Sequence, residues 1–250
     1  MGSLLTELGP GGVAFVVVAV LAGAFVKGYS GFGASMMWVA SLSLVFPPDR
    51  VVPMVLLWEV ASSLQLLPEV WRKIEWRSLG WLFLGASIAT PLGVHLLATV
   101  PADTIRVGIG LVVLVGSFLL WRGFAWRGDP SPMATSGVGL AFGLLNGSTA
   151  LGGPPVVLFY LATPVGVATG RASIIAFFLA TDAMAAGIQA VQGVLSLDLL
   201  LAAGALLPVM LLGVWAGARH FFQTEPESFK RFSLFLLMGL GIAVLVRALL

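Results

Sequence analysis

Two glycine-rich segments inside apolar sequence carry most of the groups that can do chemistry in this chain. The first is Lys27-Gly28-Tyr29-Ser30-Gly31-Phe32-Gly33-Ala34-Ser35, and the second is Asn146-Gly147-Ser148-Thr149-Ala150-Leu151-Gly152-Gly153-Pro154-Pro155. Glycine lets backbone approach a ligand because no Cβ intervenes. Where a helix is interrupted, the N–H groups of the next helix start lack partners and the positive end of its dipole is exposed, so an anion can be held there. Lys27, Ser30, Ser35, Asn146, Ser148 and Thr149 add an ammonium, hydroxyls and an amide as further donors. Pro154 and Pro155 suit the first turn of a following helix, where no intrahelical bond is lost. The competing use of such glycines is close helix packing, and Gly143 with Gly147 spells a GxxxG. The expectation is an anion pocket shaped by Gly28, Gly31, Gly33, Gly152, Gly153 and Pro154 and lined by those donors.

Two carboxylates, Glu59 and Asp182, interrupt long apolar runs. A charge within a bilayer costs roughly 3 kcal/mol or more, so such groups face a cavity or a partner. Beside a substrate path they can carry protons that couple to transport; the plainer alternative is a neutral carboxyl making one interhelical hydrogen bond. Lys27 also has two readings. It either neutralises an anionic substrate or, if its segment crosses fully, snorkels to the surface. Gln65, Gln189 and Gln192 read as interhelical glue. His95 and His220 are too far apart in sequence to suggest a metal cluster. Trp71, Trp76, Trp81, Trp121 and Trp126 fit an interfacial belt, and Trp38 and Trp58 fit core packing. No nucleophile elbow, phosphate loop or zinc-protease motif appears, so neither an enzyme nor a cofactor is expected. A basic surface with interleaved aromatics for nucleic acid is also missing.

The scaffold that positions these residues follows from composition. The 250-residue chain is 59% hydrophobic and 10% charged, with no cysteine. A soluble domain carries roughly 25% charged residues, so lipid rather than water is the expected solvent. Runs such as Val107–Leu120 and Phe232–Val246 are continuously apolar, which selects helices over an alternating barrel. Apolar runs fall near 12–26, 30–46, 51–68, 79–98 and 104–121, then 136–146, 151–165, 172–192, 198–218 and 229–249. The runs before Lys27 and Asn146 are short of the about 20 residues a span requires. Each half is therefore expected to open with a broken or re-entrant hairpin reaching toward the bilayer centre. Pro91 and Pro208 are expected to kink their helices.

Charge sets orientation. With the N-terminus on one side, the opposite side receives Arg72, Lys73, Arg77, Arg122, Arg127, Arg171, Arg219, Lys230 and Arg231, while Arg50, Arg106 and Arg247 fall on the first. The basic side is cytoplasmic, which puts both termini outside. No basic stretch precedes the first apolar run, so a cleavable signal peptide is not expected. One offset places Gly23 on Gly143, Gly33 on Gly153 and Gly93 on Gly213, and a small gap then brings Glu59 onto Asp182. The predicted fold is an all-α polytopic membrane protein of two inverted repeats, 1–125 and 133–250, forming one transport unit. Each repeat has a broken or re-entrant helical hairpin followed by three transmembrane helices.

From Asn146 to Leu161, with Gly152-Gly153-Pro154-Pro155 entering an apolar helix, the chain resembles the TauE/SafE group of membrane anion permeases, often called sulfite exporters. Its first segment, Gly31-Phe32-Gly33-Ala34-Ser35, is a more distant match to that family's first motif, where many relatives carry a glycine cluster. The resemblance extends over the chain in length, duplication and segment order. It implies secondary transport of a sulfur-containing or organic anion, such as sulfite or a sulfonate, across a bacterial cytoplasmic membrane. By position it places Gly152, Gly153 and Pro154 in one pocket wall and Gly31 and Gly33 in the other, with Phe32 able to reshape the pocket. The resulting expectation is alternating access about a midplane site, with Glu59 and Asp182 as proton-coupling candidates and the small anion and the bilayer as partners. An anion channel of the same fold and a non-transporting membrane partner protein are the competing readings.

Overall fold

The computed structural model describes residues 9–42, 44–46, 48–99, 128–149, 153–191 and 195–223, with isolated positions elsewhere. The expected helices over 104–121 and 229–249 are therefore described only at scattered positions, and those positions are helical. All described elements are helical: α1 Gly9–Ser30, α2 Ala34–Leu42, α3 Pro48–Val70, a 3₁₀ turn Trp71–Lys73, α4 Trp76–Thr99, α5 Pro132–Thr149, α6 Gly153–Ala162, α7 Val167–Val191 and α8 Leu197–Phe221. Four described stretches, Gly9–Ser30, Arg50–Lys73, Val167–Val191 and Leu197–Phe221, are long and apolar enough to cross a membrane.

The first glycine segment is less broken than its composition suggests. Helix α1 continues through Lys27, Gly28 and Tyr29 to Ser30 and has 22 residues, so the expectation that it is too short to span does not hold. Helix α5 likewise runs through Asn146 to Thr149. Gly, Ser, Thr and Asn are poor helix formers in water. Without water, every unmade backbone hydrogen bond costs several kcal/mol, and that term overrides propensity. What remains non-helical in the first segment is 31–33. Helix α2 has 9 residues, about 14 Å at 1.5 Å per residue, and cannot cross alone. In the second segment, residues 150–152 fall outside the described residues, and α6 starts at Gly153.

Contacts divide the chain into two compact units, 1–70 with 178–223, and 71–177 with 224–250. In the first unit α1 lies along α8. A Cβ on Gly28 would stand 2.0 Å from the Val214 carbonyl oxygen, and one on Gly217 would stand 2.0 Å from that of Phe25. In the second unit α4 lies along α5, where a Cβ on Gly85 would meet the Ser136 oxygen at 2.1 Å and one on Gly139 the Leu82 oxygen at 2.1 Å. Lipid tails are as apolar as leucine, so helices gain by van der Waals approach, and small residues permit it. In each unit the first helix of one sequence half packs in parallel on the fourth apolar run of the other half.

Two indoles tie the first unit together. Trp38 donates to the Val20 carbonyl and Trp58 to the Ala203 carbonyl, each at 3.0 Å, and their rings meet edge-on with centroids 5.4 Å apart. Gly23 leaves the space that the Trp38 indole fills. Gln65 of α3 donates to the Leu211 carbonyl of α8 at 3.1 Å, in the interhelical role its type suggests. The outward faces are apolar as well: Val18 is 64% exposed and Leu212 63%. Helices that turn valine and leucine outward this way are solvated by lipid.

Helix α8 starts at Ser196, whose side chain accepts the Leu199 N–H at 3.3 Å, and Asp198 sits in its first turn. Arg219 and His220 occupy the last turn, where the dipole favours cations. Ser196→Ala is expected to cost about 1 kcal/mol, the usual loss for an N-cap, read as a lowered melting temperature in detergent. An unchanged melting temperature would mean that water caps this end equally well.

Candidate functional site

The chain leaves α1 by two left-handed residues, Gly31 at φ +82° and Gly33 at φ +84°, a region that side chains with a Cβ rarely adopt. The Ser30 hydroxyl closes this turn. It lies 2.7 Å from the carbonyl oxygens of both Val26 and Phe32 and accepts the Phe32 N–H at 3.2 Å. Gly33 accepts the Met37 N–H at 3.2 Å and so begins α2. The Ser35 N–H therefore belongs to the first turn of α2 and has no intrahelical acceptor.

Glu59 of α3 fills that vacancy. Its Oε1 accepts the Ser35 N–H at 3.1 Å, and its Oε2 lies 2.5 Å from the Lys27 Nζ. Lys27 is fully buried and Glu59 is 3% exposed, so the snorkelling reading of Lys27 does not hold. The Phe178 ring of α7 faces the ammonium, its centroid 5.0 Å away, and adds a cation–π contact. Glu59 stands on the buried stripe of α3 with Val51, Val55, Ser62, Ser63, Leu66 and Val70, where helical spacing would ordinarily put an aliphatic residue. By helical rise it lies roughly 14 Å from Arg50 and roughly 21 Å from Lys73, deep within a span of that length.

The sequence expects a substrate anion on Lys27 and a helix N-terminus. The structure places a carboxylate of the chain itself on both. Removing two opposite charges from water costs several kcal/mol per ion, so the pair is weak evidence of a stabilising role. Ser62 donates to the Glu59 carbonyl oxygen at 2.9 Å, while the Ser63 hydroxyl, one helical turn from Glu59, is buried and has no hydrogen-bond partner among the described residues. Composition did not mark Ser63 or Phe178. The i, i+4 spacings Glu59–Ser63 and Phe178–Asp182 are the signals that could have found them. Asp182 is buried in the same compact unit, one turn along α7 from Phe178.

The other expected residues are placed as follows. Gly28 is taken up by packing against α8 rather than left open to a ligand. Gly143, the first member of the GxxxG, likewise packs against Ala86 of α4. Asn146 is half-buried in α5, and Gly153 with the buried Pro154 and Pro155 opens α6. Ser148 and Thr149 lie in the last turn of α5, and their side chains, with Gly152, lie outside the described residues. So does the side chain of His95, whereas His220 packs beside the rings of Phe25 and Tyr29, with centroids 6.0 and 5.4 Å away. In the second unit a cleft of about 410 Å³ is lined by Glu75, Arg77, Asp129 and the Ser78–Tyr160 hydroxyl pair, which are 2.8 Å apart. It includes none of the residues that the sequence marks for anion binding. Among the described residues no three of His, Cys, Asp and Glu gather as a metal site would require.

The model of the sulfite exporter TauE/SafE family matches residues 15–244 of the chain. A probable sulfite/organosulfonate exporter TauE of Cupriavidus necator is 27% identical over 236 residues, which cover 91% of each chain. No solved structure matches.

Proposed function

The chain belongs to the sulfite exporter TauE/SafE family and is a multi-pass membrane transporter rather than an enzyme, and we propose that it carries a small sulfur-containing or organic anion of the sulfite or sulfonate type across the cytoplasmic membrane by alternating access. One observation carries the reading: deep in apolar helices, Lys27 and the Ser35 N–H are arranged around an oxyanion, the Glu59 carboxylate. A sulfonate or sulfite presents the same kind of charged oxygens to the same donors. Gly31 and Gly33 shape the turn that brings those donors together, and Ser30 holds it closed. In the second half, Asn146, Ser148, Thr149, Gly152, Gly153 and Pro154 are the corresponding proposal for substrate contact. Glu59 and Asp182 are the proposed proton-coupling groups.

Two features support inverted repeats. The crosswise pairing of first and fourth helices recurs in both units, and in each unit the paired helices run parallel. By the positive-inside count α1 and α8 run inward, α4 and α5 outward, and both termini lie outside.

The test is transport by purified protein in liposomes. Uptake of labelled sulfite and methanesulfonate is expected to saturate and to show counter-exchange. The double variant Lys27→Met/Glu59→Gln, which leaves no unpaired charge, is expected to melt normally yet lose at least about tenfold of exchange and its anion-dependent rise in melting temperature. Ohmic, non-saturating anion current would replace the carrier with a channel. Full exchange by the double variant would move the site elsewhere.

A further inference from the structure

We propose that Glu59 is a tethered stand-in for the substrate, so that each anion enters the Lys27 site only as one proton is taken up on Glu59, and anion and proton cross together. This rests on the anion site proposed above and specifies how that site is coupled.

The geometry makes the two occupants exclusive. Both Glu59 oxygens are committed, one to the Lys27 ammonium and one to the Ser35 N–H. Among the described residues Glu59 is the single acceptor of the Lys27 ammonium, and its other neighbour is the Phe178 ring. An incoming anion must take the same donors. If Glu59 stayed ionised, two negative charges would share one ammonium in an apolar interior, leaving a net buried charge. A proton from the aqueous phase, bound on the Glu59 oxygen that Lys27 releases, removes that excess. The loaded site then holds an ammonium, a monoanion and a neutral acid, and the empty site an ammonium and a carboxylate. Both are neutral, and no bond other than the O–H forms.

The displaced acid has a place to go. A protonated carboxyl gains a donor that it lacks when ionised. The Ser63 hydroxyl lies one turn away on the same face of α3, fully buried and without a partner among the described residues. It can accept that proton's hydrogen bond, which gives an otherwise orphaned polar group a role in the loaded state.

Among the described residues Glu59 is the charged group that contacts Lys27, and the neighbouring helices carry the following others. Helix α2 contains no titratable side chain. Helix α7 contributes Asp182, buried and one turn beyond Phe178, and carries the buried Arg171 seven residues before Phe178. Helix α8 carries Asp198 at its start and Arg219 and His220 at its end, with His220 turned against the Tyr29 ring. Helix α3 itself has Asp49 and Arg50 near one end and Glu69 at the other.

The coupling predicts a split between two kinds of flux. The empty carrier resets as a neutral pair, which permits net movement. In Glu59→Gln the reset would expose an unpaired Lys27 charge, so that variant can cycle only with an anion aboard. It is expected to keep counter-exchange within about threefold of the parent protein, lose net efflux at least about tenfold, and lose pH dependence of binding.

The decisive experiment uses methanesulfonate, which is ionised at every working pH, so any proton moved belongs to the protein. Calorimetric titration of the unmodified protein in two buffers of different protonation enthalpy is expected to show about one proton taken up per anion bound. Flux assays on Glu59→Gln, purified with methanesulfonate present to pair Lys27, supply the second readout. Binding with no proton uptake overturns the coupling and leaves the anion site standing, as does net efflux retained by Glu59→Gln. Failure of both methanesulfonate and sulfite to bind overturns the site and the coupling together. Should Glu59→Gln fail to insert, the titration of the unmodified protein alone decides.

Discussion

Lys27→Met, made alone, is expected to lower the unfolding free energy by about 3–5 kcal/mol, and adding Glu59→Gln to it is expected to restore most of that loss. The single variant strands a carboxylate that is 3% exposed, with the Ser35 N–H as its remaining donor among the described residues. The double variant removes both charges and keeps an amide oxygen for Ser35. The imbalance arises because a matched buried pair roughly breaks even against neutral groups of similar volume, while half a pair is strongly destabilising. Reversible unfolding in mixed micelles measures both values, and adding Glu59→Gln measured alone closes the cycle that yields the coupling energy of the pair. If single and double variants lost the same amount, a Glu59 carboxylate left without Lys27 would carry no penalty in the folded state.

Gly28→Val is the second large effect. Its Cβ would stand 2.0 Å from the Val214 oxygen and 2.9 Å from the Ala218 nitrogen, both backbone atoms of α8. A flexible side chain can turn aside, but a helix backbone moves only as a unit. Overpacking a core costs about 1–3 kcal/mol, and the backbone clash puts this substitution at or above the top of that range. The displacement also carries the adjacent Lys27, so anion binding is expected to weaken along with stability. Two companions separate these effects. Gly85→Val, whose Cβ would meet the Ser136 oxygen at 2.1 Å, is expected to cost similar stability in the other unit. Gly187→Ala on α7, with open space around it, is expected to be neutral or to stabilise by up to about 1 kcal/mol through helix propensity. Melting temperature and recovery of monodisperse protein read all three. A normal Gly28→Val protein would show that α1 and α8 do not approach as described.

The candidate site was legible one residue at a time, and its assembly was not. Glu59 stands out because a carboxylate among valines and leucines needs a reason. Lys27 stands out for the same cause, yet its sequence supports two readings, because 32 residues separate it from the group that decides between them. Gly28 illustrates the opposite failure: a residue without a Cβ looks the same in sequence whether a ligand or a neighbouring helix fills the space. The stretch from Lys27 to Ser30 reads as broken backbone because its residues are weak helix formers in water, a scale that ranks them wrongly where no water competes for the hydrogen bonds.

Lipid as solvent, helix as the backbone solution, and the approximate positions of the spans follow from composition and run length, because each depends on the average character of about 20 neighbouring residues. Which groups touch depends instead on helices distant in the chain, and on approaches that one glycine or one indole permits. Only when α1, α2 and α3 are packed together does the Glu59 carboxylate come to lie on Lys27 and Ser35. A short-range electrostatic contact needs ångström placement, and no linear pattern of residue types encodes that.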